Sequence, residues 1–413
     1  MAEEAKDVAT IKFLEPSVIY TKHLTPNDPG FAQQWGPYVS YFDEAWNYGV
    51  GGNSWNVVCV MDDACDWNHE DLYDQVWYGW DYSEWDGEIS PDDYPTHDHG
   101  THVTGTVAAK INNGIGVAGM VNDTVYFAKV GTPQGSLNDM AINEGLYDIA
   151  QIDRIMAINM SLGGEAPSAA LEQACNAVWN AGKIMLVSSG NNSQGFISFP
   201  AAYASCTAIG SIGADGQNLY LAPYSQYGNE QEICASGGDE NTGFGILSCL
   251  PLNNYGIKQG TSMAAPHATG LAGLMKNLNP NLTNVNIRNI LASTAFDMGE
   301  PGWDPVFGFG LINALGAAQA AQGIVSGTAD KEGRAAFKIY PSPSSQFILV
   351  DPTGDFNNAS IEVIDITGKT IKKLNATGGA KLQIDVRDIP NGMYILRMTD
   401  GGLDSYSSRF VKI

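Results

Sequence analysis

Three stretches of this 413-residue chain, WNVVCVMD (55–62), RIMAINMSL (154–162) and KIMLVSSGN (183–191), each hold at least four consecutive apolar residues before a polar one. A strand with one wet face alternates apolar and polar side chains. An unbroken apolar run instead means that both faces are covered, as in parallel sheets flanked by helices. CTAIGSIG (206–213) has the same character. Helical spacing fills the gaps near 100–110, 136–150 and 168–182, and is strongest at 262–278, SMAAPHATGLAGLMKNL. Strand and helix in alternation predict an α/β fold, doubly wound around a mostly parallel sheet, from about 25 to 322.

From residue 337 the pattern changes to short alternating strands such as SIEVIDITGKTIKKL and GMYILRMTD, separated by Pro, Gly and Asn and free of His and Cys. That predicts a small all-β sandwich over 337–413, joined through a linker at 326–336. Charge divides the same way. The formal net charge is −24, yet 337–413 holds nine Lys/Arg against eight Asp/Glu, and the first 336 residues hold twelve against thirty-seven. No basic residue lies between Lys22 and Lys110. Such a surface repels nucleic acid and suits cations. No apolar run is long enough for a transmembrane helix.

The chemistry concentrates where strands end. In open α/β sheets, functional groups gather at the carboxyl ends of the strands. Asp62 ends the first run and Asn191 the third, while Ser262 stands just ahead of the strongest helix. Pro266 is expected in that helix's first turn, where a missing N–H matters little. Free N–H groups at the helix start would stabilise negative charge on a bound oxygen. A serine nucleophile needs a base, and the base an orienting carboxylate. His99 and Asp62 can serve. His97, His99 and His102 fall within six residues, HDHGTH, which also suits a zinc cage. The cage lacks its aspartate, because Thr101 stands there, and only His267 lies downstream to complete it. A Gly-x-Ser-x-Gly type of hydrolase fails too, since His267 follows Ser262 by only five residues on one helix. His102 and His267 are expected to pack, His69 to be structural, and His97 to lie exposed in a loop.

VVCVMDDACDWNHEDL, DHGTHVTGTVAA and GTSMAAPHATG, with NMSLGG, SSGNN, ISFPAAY, SQYG and FGFGLINA between and after them, resemble in order the signature segments of the subtilisin-like serine proteases, the subtilases. The resemblance implies a serine endopeptidase made as a zymogen. Ser262 would be the nucleophile, His99 the base and then acid, and Asp62 its orienting partner. Asn191, with the Ser262 backbone N–H, would form the oxyanion hole. Ser161, Leu162 and Gly163 would pair with an extended substrate, and Ser188, Ser189 and Gly190 would line the pocket for its side chain. No acid stands at these pocket positions or at Asn192, which leans towards apolar or neutral side chains over Lys or Arg. A structural Ca²⁺ is implied at Asp71, the Asn113 side chain and the carbonyls of Ile115 and Val117. One departure is Asp63–Ala64 where the family has Ser/Thr–Gly, so Ala64 needs an ordinary backbone angle. A catalytically silent subtilase that keeps the fold for binding is the alternative; all four catalytic and oxyanion residues are present.

The ends carry further resemblances. VATIKFLEPSVIY (8–20) resembles the last strand of a subtilase propeptide, so 1–24 is expected to be the remnant of an inhibitory propeptide and its linker, leaving 25–325 as the catalytic domain. MAEEAKDVATIKF lacks the layout of a secretory signal, and most of the propeptide is expected upstream. IYPSPSS, IEVIDITGKTIKKL, IDVRDIPNGMYILRM and the terminal RFVKI resemble the type A sorting domain of the Bacteroidetes type IX secretion system. That implies the type IX machinery as a partner, protein or peptide substrates, and a secreted or surface-attached enzyme. Six cysteines permit disulfides in such a compartment. Cys175, on the helix before the third strand, and Cys206, just after that strand, are the preferred pair.

Overall fold

A computed structural model describes residues 25–52, 56–91, 97–133 and 135–323, and in the tail 337–340, 346–352, 359–365, 370–376, 381–390, 392–399 and 405–412. The proposed propeptide remnant and the linker lie outside the described residues. The chain divides into two compact units, Met1–Val325 and Ser326–Ile413.

In the first unit two short helices, α1 (Trp35–Val39) and α2 (Phe42–Ala45), precede the sheet. The sheet strands are β1 (Val57–Asp62), β2 (Val76–Asp81), β3 (Thr124–Lys129), β4 (Ile155–Met160), β5 (Ile184–Ser188), β6 (Thr207–Ala214), β7 (Leu219–Leu221) and β8 (Gln231–Ser236). Their order is β2-β3-β1-β4-β5-β6-β7, with β8 also on β6, and every pairing except β6–β7 is parallel. The helices are α3 (His99–Ala108), α4 (Asp139–Gln151), α5 (Ala169–Asn180), α6 (Thr261–Leu278), α7 (Asn284–Thr294) and α8 (Ala314–Gly323); a hairpin of β9 (Ile246–Leu250) and β10 (Asn254–Lys258) stands apart.

The runs are apolar throughout because each strand feeds two cores. Along β1, Val58 and Val60 enter one core with α3, α6 and α8, while Val57, Cys59 and Met61 enter the other with α4 and α5. All six β1 residues are buried. Helix α6 is the central column: fourteen of its residues are buried, which explains why charge is confined to Lys276 in its last turn. Gly270 lets it approach the chain at Met120, whose Cβ would lie 2.3 Å from an added methyl. Neighbouring strands run to one side of β1 through β3 and to the other through β4, so the crevice lies at the carboxyl ends of β1 and β4.

In the second unit β11 (Phe337–Tyr340), β12 (Phe347–Pro352) and β15 (Leu382–Asp385) form one antiparallel sheet. The other contains β13 (Ala359–Asp365), β14 (Thr370–Ala376), β16 (Gly392–Thr399) and β17 (Ser405–Lys412), also antiparallel. Ile348, Val350 and Ile384 from the first sheet share a core with Ile361, Val363, Leu396 and Phe410 from the second, which makes a sandwich.

Candidate active site

Asp62 is the last residue of β1 and is buried. Its Oδ1 accepts from the Asp63 backbone N–H at 2.8 Å and lies 2.7 Å from His99 Nδ1. With the Nδ1 proton directed at Asp62, His99 Nε2 is left as the basic nitrogen. His99 opens α3 with a ring 32% exposed. The helix has no side-chain cap from its own N-cap residue, Asp98. Instead Asp63 Oδ1 accepts from Ala64 N at 2.6 Å and from Gly100 N at 2.7 Å, a carboxylate at the positive end of the helix. The turn after β1 thus holds both the partner of His99 and the anchor of its helix. Ala64 is not among the residues of positive φ, so the missing glycine brings no strain.

Burial alone would lower the pKa of His99. The charge and hydrogen bond of Asp62, followed by the charge of Asp63, outweigh it and raise it to about 9. Burial and then the charge of Asp62 raise Asp63 to about 6, against the two backbone N–H groups it accepts.

Ser262 is the second residue of α6, and Pro266 the sixth. The expectation of Pro266 in the first turn is therefore corrected, and its position has a consequence. A residue at 266 with an N–H would bond to the Ser262 carbonyl four residues back. With proline there, that carbonyl accepts from Ser161 Oγ at 2.7 Å. Ser161 directly follows β4, whose Met160 is registered with Met61. The bond therefore ties the start of α6 to the strand beside Asp62. Ser262 Oγ meets the Ser161 carbonyl at 3.4 Å.

Asn191 approaches from the other side. Its Oδ1 accepts from Thr261 N and from Thr261 Oγ1, both at 2.9 Å, which leaves Nδ2 with its two protons for another acceptor. The Ser262 backbone N–H lies in the same first turn, where helix geometry supplies no carbonyl partner.

Leu162, Ser188 and Ser189 are buried and Gly163 is exposed. Ser188 Oγ contacts Leu162 O at 3.4 Å, and Ser189 Oγ donates to Gln226 O at 3.1 Å. Gly190 has φ of +117°, and a Cβ there would fall 2.0 Å from Gln226 Oε1. Only glycine fits.

The three histidines of HDHGTH do not converge. His102 Nε2 faces the carbonyls of Ile246 (2.9 Å) and Gly256 (3.2 Å), and burial lowers its pKa to about 3. His97 is buried, not exposed as expected, and lies against Gly135. His267 Nδ1 bonds to Met263 O at 2.8 Å and is kept neutral by burial, with a pKa of about 4. His69 bridges Asn254 O and Asp71 N. All six cysteines are buried thiols. The expected Cys175–Cys206 bond is not made, although both thiols sit in the core beneath α5.

Asp71, Asn113, Ile115 and Val117 come together. Asp71 accepts from Asn113 Nδ2 (2.7 Å) and from Val117 N (2.9 Å), and Asn113 Oδ1 accepts from Ile115 N (2.8 Å). A residue the motifs did not mark joins them: Asp28 accepts from Asn112 N (2.9 Å) and Asn113 N (3.1 Å). Its signal was weak, a lone Asp in NDP more than forty positions upstream of Asp71. Both carboxylates are buried, and Lys110, which borders the loop, pairs with Asp74 instead. Burial raises Asp71 to about 6. Two buried carboxylates, an amide and the backbone carbonyls of the same loop are oxygen donors of the kind that fit a hard cation. Among the described residues the groups of three or more carboxylate, imidazole or thiol side chains close enough to share an ion are Asp62, Asp63 and His99, and Asp81, Glu84 and Asp86.

Comparison with known proteins bears on the family and the fold. Residues 54–310 match the model of the subtilase family, and residues 338–413 match that of the secretion system C-terminal sorting domain. A thermophilic serine proteinase of Bacillus sp. (strain AK1) is 34% identical over 311 residues, 74% of this chain and 72% of that protein. An alkaline protease of Alkalihalobacillus alcalophilus is 42% identical over 220 residues, 53% of this chain and 54% of that protein, so the chain spans about half its length. A solved structure of proteases from Pseudoalteromonas arctica PAMC 21717 superposes with a TM-score of 0.63 at 30% identity, covering 72% of this chain and all of that one. The tail marks the chain for type IX export, and no described helix is long and apolar enough to cross a membrane. The chain belongs to the subtilase family of serine endopeptidases and carries a C-terminal secretion sorting domain.

Proposed function

We propose that the chain is a secreted endopeptidase in which Asp62, His99 and Ser262 act as a triad and Asn191 completes an oxyanion hole. One observation carries the reading. Asp62 and His99 pair at the end of β1, and the ends of the neighbouring strands hold the first turn of α6, Ser161 after β4 bonding to Ser262 and Asn191 after β5 bonding to Thr261. A protein substrate lies extended along residues 161–163 and adds a strand there. His99 Nε2 takes the Ser262 hydroxyl proton as Oγ attacks the scissile carbonyl, and Asp62 supports the imidazolium. The carbonyl oxygen, now negative, accepts from Asn191 Nδ2 and the Ser262 N–H. His99 then gives its proton to the leaving amine, and water repeats the sequence to release the acyl group. In this structure Ser262 Oγ donates to the Ser161 carbonyl; on this reading it turns to His99 Nε2 when substrate binds, since catalytic hydrogen bonds commonly form fully only in the complex.

Calcium belongs to the same reading, held by Asp71, Asn113 and the carbonyls of Ile115 and Val117, with Asp28 behind them. It would neutralise the buried carboxylates and secure the loop that follows α3. We assign 1–24 to a propeptide remnant that inhibits the enzyme, 25–325 to catalysis, 326–336 to a linker and 337–413 to sorting, with release or surface attachment after export.

The test is hydrolysis of an unfolded protein by the wild type and by Ser262→Ala, with folding checked by circular dichroism. Loss of hydrolysis in a folded variant is expected; undiminished hydrolysis would overturn the triad.

A further inference from the structure

On the triad reading, residues 161–164 and residues 188–192 form the two walls of the cleft beside Ser262. Phe199 supports the first, exchanging backbone hydrogen bonds with Gly164 at 2.8 Å in each direction. Ser198 supports the second, donating its N–H to Ser189 O at 2.9 Å. The floor between them is polar but already partnered. Ser198 Oγ donates to Gln226 Oε1 (3.2 Å), Gln226 Nε2 donates to Phe196 O (2.8 Å), and Ser189 Oγ reaches Gln226 O. Nothing on the floor is charged, and its polar groups are taken up with one another.

Charge enters at the rim. Glu165 follows the two glycines that end the first wall, and Asn192 follows Asn191 on the second. Asn192 Nδ2 donates to Glu165 Oε1 at 3.0 Å, a bond that crosses from one wall to the other at the exposed lip. Residues 161–165 and 188–192 contain one ionisable side chain, and it is Glu165. The bond fixes a long side chain that would otherwise sample many rotamers, so the carboxylate is held in place beside the opening.

We propose that Glu165 gives this site a preference for a cationic side chain, Lys or Arg, on the substrate residue that supplies the scissile carbonyl. The inference rests on the triad reading above. The stem of such a side chain would run past Gly163 and Gly190, which carry no side chains of their own, and its charged head would meet the carboxylate at the lip. The acidic first 336 residues, with thirty-seven Asp/Glu against twelve Lys/Arg, act in the same direction by raising the local concentration of cationic peptides. This revises the leaning towards neutral side chains drawn from residues 188–192 alone. The acid comes from the opposite wall, where only the folded chain reveals it.

The experiment compares kcat/KM for two peptide anilides that differ only in Lys or Leu before the scissile bond, using wild type, Glu165→Gln and Glu165→Lys at low and high salt. Gln keeps an oxygen for Asn192 and removes the charge. The Lys-to-Leu ratio is expected to fall about fivefold in Glu165→Gln, the scale of one exposed ion pair, and further in Glu165→Lys. Added salt lowers the wild-type ratio and moves that of Glu165→Gln less. A ratio that stays within twofold in both variants, or an equal loss for both substrates, would show Glu165 to be only a clamp between the walls and overturn the proposal. Failure of the triad reading looks different: the wild type then cleaves neither anilide, or Ser262→Ala cleaves both.

Discussion

Asp63→Asn separates the charge beside His99 from the geometry that holds it. In the wild type the ionisable atoms of Asp62, Asp63 and His99 all lie within 4.8 Å of one another. At that separation one unit charge acts on another with about 0.9 kcal/mol at the dielectric constant of water and about 3.5 kcal/mol at an effective value of 20. The His99 ring is a third exposed, which favours the lower half of that span, and about 1.4 kcal/mol corresponds to one pH unit. Asn keeps an oxygen for Ala64 N and Gly100 N, so the turn and the start of α3 survive. The sign follows from which form works. Charged Asp63 favours the imidazolium, whereas catalysis needs neutral Nε2. Removing the charge lowers the His99 pKa and moves the acid limb of kcat/KM to lower pH, by about one unit. Below pH 6, where Asp63 itself takes up a proton, the electrostatic difference fades. The assay is kcat/KM for a neutral peptide anilide against pH at constant ionic strength. A limb that stays in place or moves upward would refute the role given to Asp63.

Asn191→Ala should lower kcat by about 10²–10³ with KM little changed, since the donor acts on charge that develops only in the transition state; that magnitude comes from subtilisin itself, and a KM effect alone would contradict the assignment. Calcium at millimolar level should raise Tm, and chelation should shorten the thermal half-life; an unchanged half-life in the chelator would remove the calcium site. Asp71 has a folded-state pKa raised from 3.8 to about 6. Without a cation, stability therefore falls as pH rises through that window, because the native state binds the extra proton. The calcium-induced gain in Tm should accordingly be larger above pH 6 than near pH 4, and Asp71→Asn should abolish it; a pH-independent gain would count against Asp71. Gly190→Ala should cut kcat/KM sharply, because the new Cβ has Gln226 Oε1 only 2.0 Å away, and an unaffected variant would show that the floor yields.

The strands most legible in the sequence are those covered on both faces. β1, β4, β5 and β6 read directly from their apolar runs. β2 and β3 did not. β2 is the edge of the sheet and leaves Trp77 and Tyr78 exposed, so its pattern is mixed. β3 ends on Lys129, which is fully buried yet charged, and nothing local explains it. Its partner Asp81, 3.0 Å away, lies far back in the chain. The placement of Asp62, His99 and Ser262 at a strand end or a helix start was legible because each lies inside a distinctive segment. The supporting contacts were not, because they join distant segments through backbone atoms. Asp63 to the amide of Gly100 and Ser161 to the carbonyl freed by Pro266 leave no spacing signature. The expectation of an exposed His97 fails because its position in a loop before α3 says nothing about the distant segment at Gly135 that lies against its ring.

The central claim is that Ser262 is the nucleophile and that His99 and Asn191 make it reactive. It is tested most directly by treating the intact chain with a fluorophosphonate and locating the adduct by peptide mass spectrometry. A single adduct on Ser262, formed faster as pH rises through the His99 ionisation and slowed strongly in His99→Ala, is the predicted result. An adduct on another residue, or undiminished labelling of Ser262→Ala, would contradict it.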